Sequence, residues 1–246
     1  MKKLLLFLNM QTKKSYFLLL IPLVLAVLAV AGYGFLFKAA VPGSCAFILI
    51  LLFRKHLKSI PDIWFVIAAF LFSIAGDWFL SNKGDSFMMF SAGIGLYLFA
   101  HLGYLLFALR NGRIHLMFTI VVLVGYLLFF FTKLYPALDD TILLIAVLLY
   151  LLISCFSLGA AFGIKLAPVV KWSYFVGVTL VLFSDTIIAL NEFTSYGALN
   201  FLILPTYYAA HMSVTYALLR RKQMQVLSSL TCRPVYRGIS NQQNKH

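Results

Sequence analysis

Two aspartates lie inside long apolar stretches, where a charged side chain is costly. The chain has only seven acidic residues. Five of them fall at the ends of apolar stretches or between them, whereas Asp77 and Asp185 fall inside. An ionisable group within a membrane costs at least about 2.5–3.5 kcal/mol unless it faces a polar interior. Two neighbouring carboxyl groups can share one proton and divide acid and base roles. The pattern favours a functional pair; the alternative is a structural pair that hydrogen-bonds neighbouring helices.

Further polar residues in the same stretches could line an interior site. Helical rise places the two histidines about 10–15 Å deeper than the aspartates. Metal–ligand bonds are about 2 Å long, so this separation argues against a shared His/Asp metal site, and we expect no metal and no cofactor. Each histidine could instead bond a neighbouring helix. The candidate substrate-binding residues are Tyr97, His101, Asn191, Tyr207, Tyr208 and His211.

Lys38 is a further candidate because basic residues are rare on its side of the membrane. It falls between the first two apolar stretches, at an expected outer turn. There its ammonium group could bind a lipid phosphate. An ordinary lysine that extends to the membrane surface is an equally good interpretation.

These residues must be positioned by membrane-spanning helices. Hydrophobic residues make up 63% of the 246 residues and charged residues 11%, against about a quarter charged in soluble domains. A helix needs about 20 apolar residues to cross a bilayer, and eight stretches qualify. The first is too long for the apolar core of a signal peptide, so we expect a retained helix. The predicted spans are 16–36, 39–53, 63–81, 87–109, 114–132, 141–163, 172–191 and 199–219.

The basic residues set the expected orientation. The net charge is +13, but the basic residues lie in short gaps between apolar stretches, which argues against nucleic-acid binding. With eight spans and a cytoplasmic N-terminus, 17 of the 20 basic residues face the cytoplasm. The other three are Lys38, Lys83 and Lys133. The positive-inside rule thus predicts a multi-pass protein with both termini in the cytoplasm.

Two halves of the chain share a pattern. Tyr97, Ala100 and His101 correspond to Tyr207, Ala210 and His211 at a fixed offset, and each set follows an intramembrane aspartate. We expect an all-α transmembrane domain over 1–219, with possible parallel-oriented four-helix repeats at 1–110 and 111–219. Residues 220–246 are expected to form a basic, disordered cytoplasmic tail.

Four segments together resemble the YhhN-like family, which includes lysoplasmalogenases. They are Phe72–Leu80 around Gly76-Asp77, Gly95–Tyr104 around His101, Phe183–Asn191 around Ser184-Asp185, and Tyr207–His211. The resemblance extends from the first helices to about Arg220. In one departure, Lys38 is followed by Ala39, where the family often has proline.

The resemblance implies hydrolysis of the vinyl ether bond of lysoplasmalogen. The expected products are a fatty aldehyde and glycerophospho-ethanolamine or glycerophosphocholine, and the expected partners are membrane lipids. A protonated carboxyl group would protonate the alkene, and a carboxylate would stabilise the oxocarbenium ion, as in glycosidases. If the protein is bacterial, the inner membrane is the expected location. The alternative from another class is a proton-coupled transporter of a lipid or small amphiphile.

Overall fold

The structure, a computed structural model, describes residues 16–54, 60–84 and 86–231. In these residues eight α-helices are present and no strand, which confirms the all-α prediction. Six of the helices, α2 to α7, are long and apolar enough to cross a membrane, α5 together with the short turns that follow it. The helices are α1 (Leu20–Val30), α2 (Phe35–Phe53), α3 (Ile63–Ser81), α4 (Phe87–Arg110), α5 (Leu116–Phe129), α6 (Thr141–Phe162), α7 (Pro168–Thr194) and α8 (Ile203–Thr231).

The first turn lies earlier in the chain than the apolar pattern predicts. Helix α1 ends at Val30, and Gly32 and Gly34 follow with φ of 88° and 100°. These left-handed conformations favour glycine and end the helix. Helix α2 therefore begins at Phe35, and Lys38 lies in its first turns. The prediction that Lys38 sits in the connecting turn was wrong.

Two helix pairs form the centre of the bundle: α3 packs along α4, and α7 packs along α8. Both pairs approach closely at a glycine. A Cβ atom at Gly103 of α4 would lie 2.5 Å from the carbonyl oxygen of Phe65 in α3, and one at Gly177 of α7 would lie 2.5 Å from Val214 in α8. Small residues at such contacts let helix backbones come together within membranes.

Large apolar surfaces remain exposed on the outside of the bundle. Helix α5 shows this most clearly: Val121 is 70% exposed and Leu128 is 62% exposed. A soluble protein rarely exposes contiguous apolar patches of this kind. The lipid chains of a bilayer are the solvent that suits them.

A buried ion pair joins the helices at the predicted cytoplasmic end. Arg221 Nη1 of α8 donates to Asp62 Oδ2 at 2.5 Å, and Asn111 Nδ2 donates to the same oxygen at 2.7 Å. Asp62 is only 4% exposed. Helix α8, which carries Arg221, extends beyond Arg220 to Thr231, into the segment that was expected to be a disordered tail. Residues 232–246 of that segment lie outside the described residues.

Candidate active site

Asp77 of α3 is bound by tyrosines from two other helices. Tyr97 of α4 donates its hydroxyl to Asp77 Oδ1, and Tyr207 of α8 donates to Oδ2 at 2.9 Å. Gly76 gives the Tyr97 ring its space, because a Cβ there would lie 3.0 Å from the ring. Both carboxylate oxygens of this half-buried side chain therefore accept a hydrogen bond.

Asp185 of α7 is held differently, because its two hydrogen bonds meet at one oxygen. Tyr150 of α6 donates to Asp185 Oδ2 at 2.5 Å, and His101 Nε2 of α4 lies 2.9 Å from the same atom. Within the described residues Oδ1 has no hydrogen-bond partner. Asp185 is 8% exposed and lines a cavity.

Tyr97 bonds one of the two carboxyl groups and shares a cavity with the other. Its hydroxyl binds Asp77, while its side chain lines the same cavity as Asp185 and Tyr150. Six side chains from five helices form one group, which we call the aspartate cluster. Its members are Asp77, Tyr97, His101, Tyr150, Asp185 and Tyr207.

The contact between His101 and Asp185 corrects the sequence-based depth estimate. That estimate separated the histidines from the aspartates by about 10–15 Å of helical rise. Helix α7 continues to Thr194, so Asp185 lies further from its helix end than expected. The lengths of the two side chains cover the remaining distance.

The other candidate residues take different positions. His211 Nδ1 donates to the backbone oxygen of Tyr207 at 2.8 Å, and the two rings lie 4.4 Å apart. Tyr208 is buried against Tyr207, with ring centroids 5.6 Å apart. Both therefore support Tyr207 and do not bind an aspartate directly.

Lys38 and Asn191 lie apart from the hydrogen bonds of the aspartate cluster. Lys38 lies in the first turns of α2, and within the described residues no ion pair joins it to either aspartate. Asn191 accepts a hydrogen bond from Asn200 at 2.7 Å, in the connection from α7 to α8. This bond makes Asn191 a residue that shapes the loop.

Tyr150 was missed at the sequence level. It falls in a leucine-rich stretch without a conspicuous neighbour, and a lone tyrosine there suggests packing. The signal that could have found it is chemical: a buried tyrosine hydroxyl needs a hydrogen-bond partner. Asp185 is that partner.

A narrow cavity of about 60 Å³ lies beside the aspartate cluster. Its walls are apolar side chains such as Ile94, Val147 and Ile188, and its polar lining residues are Tyr97, Tyr150 and Asp185. Leu80 and Phe193 line it near the predicted outer ends of α3 and α7. The lining is thus mostly apolar, with a few polar groups near Asp185, and its polarity matches that of an amphiphilic molecule.

Fold and site together define a multi-pass helical membrane protein with an intramembrane carboxyl pair. The YhhN family model matches residues 34–218. The chain belongs to the YhhN family. It matches no curated protein and no solved structure.

Proposed function

We propose that this protein is a lysoplasmalogenase-like ether hydrolase, which cleaves the vinyl ether bond of a lysoplasmalogen. The observation that carries the proposal is the carboxyl pair beside an apolar cavity. Asp185 lines the cavity, and Tyr97, which bonds Asp77, lines it too. Membership of the YhhN family agrees with such an activity.

The chemistry requires one proton donor and one anion. Protonation of the outer alkene carbon leaves an oxocarbenium ion at the carbon that bears the ether oxygen. Water adds to that carbon, and the hemiacetal collapses to an aldehyde and a free glycerol hydroxyl. A carboxylic acid and a carboxylate perform the corresponding tasks in glycosidases. In this protein Asp77 and Asp185 would perform them.

The polarity of the cavity lining would match the polarity of the substrate. The apolar walls of the cavity would hold the alkenyl chain, and Asp185 would lie beside the ether bond. The vinyl ether of a membrane lipid lies just below the headgroup. The cavity runs from the predicted outer ends of α3 and α7 inward to Asp185, which covers that level.

The test is aldehyde release by the purified protein in detergent. Lysoplasmalogen should yield a fatty aldehyde with multiple turnovers. The matched lipid control is the saturated alkyl-ether lysolipid, which lacks the alkene that accepts the proton and should remain intact. Absence of aldehyde from a folded protein would contradict the proposal and favour a test of the proton-coupled transporter alternative.

A further inference from the structure

The two aspartates differ in how their oxygens are occupied, and the difference separates their roles. At Asp77 each oxygen accepts a tyrosine hydroxyl. At Asp185 both contacts fall on Oδ2, and within the described residues Oδ1 has no partner. Hydrogen bonds to a carboxylate favour its charged form. A carboxyl oxygen that has no hydrogen-bond partner can take up a proton without any rearrangement of existing bonds.

We infer that Asp185 is the proton donor, acting through Oδ1, that Asp77 remains the carboxylate, and that Tyr150 positions the donor. The inference rests on the proposed function and assigns the roles within it. It also includes a residue, Tyr150, that the apolar pattern of α6 hides.

The geometry at Asp185 suits an acid that gives up a proton. Tyr150 donates to Oδ2 at 2.5 Å and His101 Nε2 lies 2.9 Å from it. Oδ2 can accept both bonds whether Oδ1 carries a proton or not. Proton loss from Oδ1 therefore needs no rearrangement of these partners. Because Oδ2 is fixed from two helices, Oδ1 is held in one orientation at the cavity wall.

The geometry at Asp77 suits an anion that does not change. Two tyrosine hydroxyls, one on each oxygen, donate to it. His211 and Tyr208 pack on Tyr207 and support one of the donors. Asp77 would stabilise the cation that forms when the alkene is protonated.

The alkene electrons take the proton from Asp185 Oδ1 and form a new C–H bond, which leaves the positive charge on the carbon bound to the ether oxygen. Water adds to this carbon and returns one proton to Asp185. The C–O bond to glycerol then breaks: the hemiacetal hydroxyl gives up its proton and becomes the aldehyde carbonyl, and the glycerol oxygen takes up a proton, so no oxidant is needed. Tyr150 acts only through Asp185 and is a positioning residue.

The configuration of the product carbon shows whether the proton donor is held on one face of the alkene. In deuterated water the new deuterium makes the carbon next to the aldehyde a stereocentre. A donor that is held on one face of the alkene gives one configuration, whereas unguided protonation by solvent gives both. Immediate reduction of the aldehyde to the alcohol prevents exchange and preserves this configuration for analysis.

The experiment compares purified full-length variants in deuterated water, with protein in excess so that slow reactions can be followed. Asp185→Asn should lose at least about 100-fold in rate, as is usual when a general acid is removed, and any labelled product should contain both configurations. Asp77→Asn should also be slow, but its labelled carbon should keep one configuration. One configuration from Asp185→Asn, or a mixture from Asp77→Asn, would overturn the assignment.

Milder variants keep the inference testable if an asparagine variant does not fold. Tyr150→Phe should lower kcat with little change in KM and give a mixture of configurations, whereas Tyr207→Phe should slow turnover and keep one. Tyr126→Phe is the matched control, because Tyr126 bonds Thr186 next to Asp185 without contacting the carboxylate. The opposite behaviour of Tyr150→Phe and Tyr207→Phe would mean that Asp77 is the donor and Asp185 the carboxylate.

Wild-type protein that releases no aldehyde would instead overturn the proposed function, and the inference with it.

Discussion

At the residue scale, the aspartate cluster shows what spacing alone can and cannot predict. Asp77 and Asp185 could be selected as candidates because an ionisable side chain inside an apolar helix is energetically costly and therefore indicates a functional site. Their partners could not, because a hydrogen bond between helices depends on helix rotation and tilt. His101 illustrates this: counting residues placed it about 10–15 Å deeper than Asp185, yet its ring reaches Asp185. Tyr150 lies in a leucine-rich segment, where its sequence neighbours do not distinguish it from a packing residue.

The first prediction concerns the aspartates as a unit. Asp77→Asn and Asp185→Asn should each remove most of the turnover in a protein that still inserts and folds. The double variant should be little worse than either single one, because groups that act together are strongly non-additive. Steady-state rates with lysoplasmalogen provide the measurement. Nearly normal activity in a folded single variant would exclude the pair from catalysis.

At the element scale, the apolar pattern located the helices but not all of their ends. Spans three and four agree with α3 and α4 to within a residue. The turn between α1 and α2 was predicted too late in the chain, because Gly32 and Gly34 were counted as part of the first apolar stretch. Asp62 was treated as an ordinary helix-end residue, yet it is buried with Arg221 and Asn111. That pairing joins elements distant in sequence, which local patterns do not record.

The proposed repeat remains a prediction, and its chemistry is not symmetric. By the repeat, Tyr207 should serve Asp185 as Tyr97 serves Asp77. In the structure Tyr207 donates to Asp77, and Asp185 is bound from α4 and α6. If the halves share an origin, the site has diverged between them.

The second prediction concerns the close helix contacts. Gly103→Ala and Gly177→Ala should each lower thermal stability in detergent. The new methyl group would collide with helix α3 at position 103 and with helix α8 at position 177. Gly125→Ala is the matched control: a Cβ there has no atom within 4 Å. It should leave stability unchanged or raise it by up to about 1 kcal/mol, the usual gain of alanine over glycine in a helix. Equal melting temperatures for all three variants would contradict these packing contacts.

At the scale of the whole molecule, the placement of charge predicts the orientation. With both termini in the cytoplasm, 17 of 20 basic residues lie on the cytoplasmic side. The third prediction follows: a C-terminal fusion to a reporter that is active only in the cytoplasm should work. A matched fusion to a reporter that requires export should be inactive. The reverse result would place the cavity on the opposite side of the membrane.

The central claim is that a carboxylic acid of the aspartate cluster protonates the alkene carbon of the substrate. The most direct measurement is turnover in deuterated, oxygen-18-labelled water, with the aldehyde reduced as it forms. Protonation of the alkene should place one deuterium on the carbon next to the former carbonyl, and the glycerol product should keep its original oxygen, because water adds on the vinyl side. An aldehyde carbon without deuterium, or solvent oxygen in the glycerol product, would mean cleavage from the other side of the ether. Asp77 and Asp185 would then have a different task.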